Sequence, residues 1–124
     1  MMQAEFESAY ATNAHRQMLY AELLEYLDKV KQHMSDYSLI VFGSFVSDKE
    51  TPGDVDLILH GRVRQNMLGM FDTKHFRSKG HLDIKLEVAA ISSAFRLRTP
   101  GELVQWFEGL NADMKVGNYK VINF

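Results

Sequence analysis

A chain of 124 residues with 46% hydrophobic and 24% charged side chains has the size and apolar content of one packed domain, which excludes a disordered or fibrous polypeptide. A net charge of −2 supplies no general attraction for nucleic acid, and the absence of cysteine excludes disulfides, zinc–thiolate sites and thiol nucleophiles. The longest apolar runs, such as Leu39-Ile40-Val41-Phe42, fall far short of the roughly 20 residues that a membrane-spanning helix needs.

The opening segment is polar and acidic and lacks a basic-then-apolar leader pattern, so a cytoplasmic protein with no membrane association is expected. We read 1–124 as a single domain, with 1–13 as an N-terminal arm that is either flexible or helical. From Ala14 to Met34 the apolar residues Leu19, Leu23, Leu27, Val30 and Met34 recur at helical spacing. Ser38 to Phe42 reads as a short strand buried on both faces. Gly43-Ser44 breaks it, Phe45 to Lys49 reads as a short helix, and Glu50-Thr51-Pro52-Gly53 is turn chemistry. Asp54 to Leu59 is a second strand. Arg64 to Phe76 reads as a helix using Met67, Met70 and Phe71, weakened by Gly69.

His81 to Val88 is the clearest alternating strand, with Leu82, Ile84, Leu86 and Val88 on one face and Asp83, Lys85 and Glu87 on the other. Thr99-Pro100-Gly101-Glu102 is a helix start, with Thr as cap, Pro first and Glu three residues after the cap. That helix carries Leu103, Trp106 and Phe107, all read as core. Tyr119 to Phe124 reads as a final edge strand. The expected fold is α/β (α+β), a small mixed sheet with helices packed on one face.

The chemistry lies in Gly43-Ser44, followed after nine intervening residues by Asp54-Val55-Asp56. Aspartates two apart on a strand share a face, about 6.6 Å apart along the backbone. At an effective dielectric of 20 they repel by roughly 2.5 kcal/mol. A buried cluster of this kind must hold a proton or recruit a cation. Magnesium favours carboxylates combined with substrate phosphates. A Gly-Ser bend allows close backbone approach, and free N–H groups there suit a phosphate.

These residues resemble the signature of the polymerase-beta-type nucleotidyltransferase superfamily: an apolar strand, Gly43-Ser44, a gap, then Asp54-Val55-Asp56. The likeness is greatest to the minimal single-domain members found near phage and toxin–antitoxin loci. A weaker likeness covers Trp106-Phe107 and the stretch from Lys115 to Phe124. The third carboxylate of that family lies on a following strand between apolar residues, and Leu82-Asp83-Ile84 fits. The resemblance implies a Mg2+ (or Mn2+) site formed by Asp54, Asp56 and Asp83, which serve as catalytic and metal residues, with Gly43 and Ser44 binding the nucleotide phosphates. It implies transfer of a nucleoside monophosphate from an NTP to a hydroxyl acceptor.

We expect a protein acceptor or partner toxin in preference to RNA, because the chain is slightly acidic, and homo-oligomers are compatible with the reading. Val46-Ser47-Asp48 stands where many members carry a small residue and Arg-Gly, and the extra helical domain of larger members is not seen. A catalytically degenerate binding module is the first rival. An RNA-directed toxin, with Arg62, Arg64, Lys74 and Arg77 forming a basic groove, is the second. Glu87 is the substitute acid for Asp83, and Lys85 is expected to pair with Asp83 or Glu87.

Overall fold

The computed structural model describes residues 1–34, 37–64, 78–110 and 119–123. The long apolar stripe lies on α2 (Ala14–Lys31), where Leu19, Leu23, Leu27 and Val30 are buried, with Met34 buried just beyond the helix. Asn13 caps this helix, its side chain accepting a hydrogen bond from the Arg16 amide at 2.8 Å, and Lys29 and Lys31 face the negative end of the dipole. Of the two expected states for the N-terminal arm, the helical one is found: α1 (Gln3–Tyr10). Phe6 anchors it, fully buried with its ring 5.9 Å from that of Phe45.

The strands are β1 (Tyr37–Phe42), β2 (Val55–Val63), the two-residue β3 (Ser78–Lys79), β4 (Leu82–Ala90) and β5 (Tyr119–Asn123). They form one mixed sheet in the order β3-β4-β2-β1-β5. The pair β2–β4 is parallel, and the pairs β1–β2, β1–β5 and β3–β4 are antiparallel. The tail is an edge strand, as its sequence predicts. Its margin is partly occupied by Met1, whose amino group donates to the Val121 carbonyl at 3.0 Å and whose carbonyl accepts from Asn123.

Alternation along the strands decides what each face buries. Leu39, Val41, Val55, Leu57, Leu59, Leu82, Ile84 and Ile122 point into the core beneath α1 and α2. Ile40, Phe42 and Ile58 point the other way and pack with Leu103 and Val104 of the last helix, α3 (Pro100–Leu110). The mixed α/β architecture is as expected, but the helices are divided between both faces rather than gathered on one. The physical reason is the composition of β1, which is apolar at every position except Ser38 and so needs cover on each side.

The helix start at Thr99 has the reciprocal geometry that its residues predict. The Glu102 amide donates to Thr99 Oγ1 at 3.2 Å, and Glu102 Oε1 accepts from the Thr99 amide at 3.4 Å. Trp106, expected in the core, is instead 45% exposed, with one ring face against the Arg98 guanidinium, 4.7 Å from the centroid. The short helix expected over Phe45–Lys49 is a single 3-10 turn, Gly43–Val46. The helix expected around Met67, Met70 and Phe71 lies outside the described residues, as does Phe107's side chain. No described helix is long and apolar enough to cross a membrane.

Candidate active site

β1 ends at Phe42, which pairs across the sheet with Asp56, the second residue of β2. On the other side of β2, Asp56 is level with Asp83, the second residue of β4. Period-two alternation and this register put both carboxyls on the same face. Asp54 precedes β2 by one residue and is exposed, close enough for its charge to act on Asp56. The three aspartates singled out from the sequence therefore converge at the N-terminal ends of two parallel strands.

Gly43 closes the arrangement. It adopts φ +77°, and a Cβ built there would lie 2.6 Å from Asp56 Oδ2. Only a residue without a side chain lets the backbone leave β1 so close to that carboxyl. Ser44 follows within the 3-10 turn, and its carbonyl accepts from both the amide and the hydroxyl of Ser47, at 3.2 and 2.6 Å. The Gly-Ser bend and the acidic cluster are thus in contact.

Crowding of like charges governs the electrostatics. Burial pushes the Asp56 carboxyl up to about 7, helped by the charges of Asp54 and Asp83 and by its hydrogen bond to Asp83, while Lys85 acts weakly in the opposite direction. Below that pH Asp56 holds a proton and donates it to Asp83. Lys85 Nζ lies 2.8 Å from Asp83 Oδ1, one of the two partners expected for it. Among the described residues no three His, Asp or Glu side chains stand in ready metal-ligating geometry. The donor chemistry nevertheless fits a hard divalent cation: all oxygen, at least two negative charges once the shared proton leaves, and a side-chain-free glycine above Asp56.

Glu87 is excluded as the substitute for Asp83. It is 6% exposed and fully engaged by Arg98, whose amide, Nε and Nη2 donate to its oxygens at 2.7, 2.9 and 3.0 Å. Burial raises this carboxyl, but the Arg98 hydrogen bonds outweigh it and hold Glu87 below the usual range. His60, level with Glu87 on β2, lies with Nε2 2.8 Å from the Arg98 carbonyl. Together they clamp the strap that returns from β4 to α3. We expect Glu87→Ala to cost about 2–3 kcal/mol in urea unfolding, below the value for a fully buried pair because Arg98 is partly exposed. Lys85→Ala, at an exposed pair, should change stability by less than about 1 kcal/mol.

Arg62, a member of the suggested basic groove, donates to the carbonyls of Ala90, Ser93 and Phe95 and so holds the same strap. Lys74 and Arg77 lie outside the described residues. Of the histidines near the site, His81 pairs with Glu22 on α2 at 3.0 Å, and its carbonyl accepts from the Val55 amide at 2.8 Å. A residue that sequence reasoning passes over is Arg16 of α2, which is 3% exposed with its side chain against the loop that follows Gly43-Ser44. Nothing in the spacing of α2 marks it, since Arg16 sits one turn from the stripe like any surface residue.

Fold and site define a mixed α/β domain in which three aspartates gather at the ends of parallel strands against a Gly-Ser bend. The chain belongs to DUF6932, a family of unknown function whose model matches residues 1–115. No curated protein and no solved structure matches it.

Proposed function

We propose that this protein is a metal-dependent nucleotidyltransferase that moves a nucleoside monophosphate from an NTP to a hydroxyl on a protein acceptor. The observation that carries the reading is the lateral register of Asp56 with Asp83 directly beside Gly43. Carboxyls placed that close favour a shared proton, and a dication bearing phosphates would replace it. Asp54, Asp56 and Asp83 would hold Mg2+ or Mn2+, which when bound supplies charge neutralisation along the triphosphate and at the leaving group.

The chain's own residues would do the rest. Gly43 allows the bend to approach the β- and γ-phosphates, and Ser44 adds a hydroxyl donor. The acceptor oxygen attacks the α-phosphorus, the bond to the β-phosphate bridging oxygen breaks, and pyrophosphate leaves. Asp83 lies at the open side of the pair, 47% exposed, and takes the acceptor's proton. A protein acceptor suits the net charge of −2, and Arg62 is already committed to backbone carbonyls. A toxin–antitoxin or phage setting, with the acceptor a partner toxin, is the biological context of this reading.

The test is incubation with each labelled NTP, Mg2+ or Mn2+, and lysate, comparing wild type with Asp54→Asn/Asp56→Asn. Transfer by wild type, reduced at least about 100-fold in the double variant, is the expected result. No transfer from any nucleotide, together with no divalent-ion affinity, would replace this reading with that of a degenerate module acting by protein contact.

A further inference from the structure

Arg16 spends its whole side chain on the loop after the Gly-Ser bend. Nε donates to the Lys49 carbonyl at 3.1 Å, and Nη1 donates to the Tyr10 and Phe45 carbonyls at 3.1 and 2.6 Å. Nη2 donates to the Ser47 and Lys49 carbonyls at 2.8 and 2.5 Å. An arginine has five N–H donors, and here each has a backbone acceptor. None remains for a ligand. The guanidinium also lies 5.3 Å from the Phe45 ring centroid.

Its neighbours extend the hold. Asn13 Nδ2 donates to the Glu50 carbonyl at 2.9 Å, and His15 Nε2 lies 2.6 Å from the Pro52 carbonyl. The first turn of α2 therefore grips carbonyls at 45, 47, 49, 50 and 52, the stretch joining Gly43-Ser44 to Asp54. In a trans peptide the C=O and the following N–H point in opposite directions. Carbonyls of Phe45, Ser47 and Lys49 turned onto Arg16 leave the amides of Val46, Asp48 and Glu50 turned away from it. Ser47 stiffens the loop again, its Oγ accepting from the Lys49 amide at 3.1 Å.

We propose that Arg16 is the positioning residue of the phosphate-binding turn, a buried cation that presets the 43–50 backbone for a polyphosphate. The inference rests on the nucleotidyl-transfer reading and adds to it a residue from outside the acidic cluster. Presetting removes the ordering cost that a loose loop would incur on binding. A lysine has three donors and no planar fork, so it cannot hold the same carbonyls.

The test uses the whole chain, with inorganic tripolyphosphate plus Mg2+ as probe in calorimetry and Mn2+ alone in a parallel titration. Wild type should bind both. Arg16→Lys should keep Mn2+ affinity within about threefold, since its carboxylates are untouched, and lose at least tenfold for tripolyphosphate. Should Arg16→Lys fail to fold, Asn13→Gly/His15→Ala releases the far end of the loop at little cost to the helix cap. Its expected effect is a threefold to tenfold loss for tripolyphosphate with Mn2+ binding retained. Unchanged tripolyphosphate affinity in Arg16→Lys overturns the role of Arg16, and in the double variant it overturns the presetting of the turn from the start of α2; either leaves the transferase reading standing. Wild type that binds neither probe overturns both.

Discussion

Asp56→Asn is expected to be more stable than the wild-type chain above neutral pH and to lose the proposed transfer activity. The carboxyl of Asp56 feels the charges of Asp54 and Asp83 and is pushed up to about 7, first by burial and then by those charges. In the folded state it keeps a proton through a pH range in which the unfolded chain has already released it. The folded state therefore binds more protons between about pH 4 and pH 7, and stability falls as pH rises through that window. Raising a carboxyl tenfold in proton affinity on folding is worth about 1.4 kcal/mol. With partial exposure and coupling to Asp83, a total loss of about 2–4 kcal/mol by pH 8 is the expected scale.

Asparagine keeps the shape and the hydrogen bond to Asp83 but never ionises. At about pH 3.5, below that window, the two chains should unfold at similar temperatures. At pH 8 Asp56→Asn should melt higher, by about 3–6 °C for each kcal/mol recovered in a domain of this size. Mg2+ or Mn2+ at a hundred times its dissociation constant should stabilise wild type by about 2.7 kcal/mol and leave the variant nearly unmoved. Melting curves at the two pH values, with and without metal, read all of this. A variant that melts lower than wild type at pH 8 would show that the three carboxylates do not repel one another. Stability gained where function is lost is the usual signature of charge concentrated for a ligand.

Gly43→Ala should harm both folding and chemistry, through two separable causes. The backbone stands at φ +77°, a conformation that costs a residue with a side chain about 1–2 kcal/mol. The new methyl would also lie 2.6 Å from Asp56 Oδ2, so the carboxyl must swing away from it. That motion breaks the alignment of Asp56 with Asp83. Expected results are a loss of about 1–3 kcal/mol in chemical denaturation and a fall in transfer rate of at least about 100-fold. Gly53→Ala is the control, because nothing lies within 4 Å of a Cβ there and its φ is outside the left-handed region. It should be neutral or stabilising by a few tenths to about 1 kcal/mol. Equal behaviour of the two alanine variants would remove Gly43 from the site.

Much of the candidate site is legible in the order of the residues. Asp54-Val55-Asp56 carries its geometry in its spacing, since residues two apart on a strand share a face. Leu82-Asp83-Ile84 does the same for the third acid, and Gly43-Ser44 announces the bend. What cannot be read there is which acid on β4 stands opposite Asp56. Asp83 and Glu87 lie on one face of one strand, and only the pairing separates them. Asp83 meets Asp56, and Glu87 meets His60 and is consumed by Arg98.

Local chemistry determined the elements themselves: the stripe of α2, the Thr99–Glu102 cap, the alternation of β4 and the breaks at Gly43 and Gly53. These depend on neighbours within a few residues, so the chain specifies them by itself. The tertiary structure alone decided the parallel register of β2 with β4, the division of helices between the two faces, and the burial of Arg16. Each of those is a choice among distant partners that satisfy the same local pattern equally well. The choice is made by covering both sides of β1 with apolar side chains and by finding a backbone acceptor for every donor of a buried guanidinium.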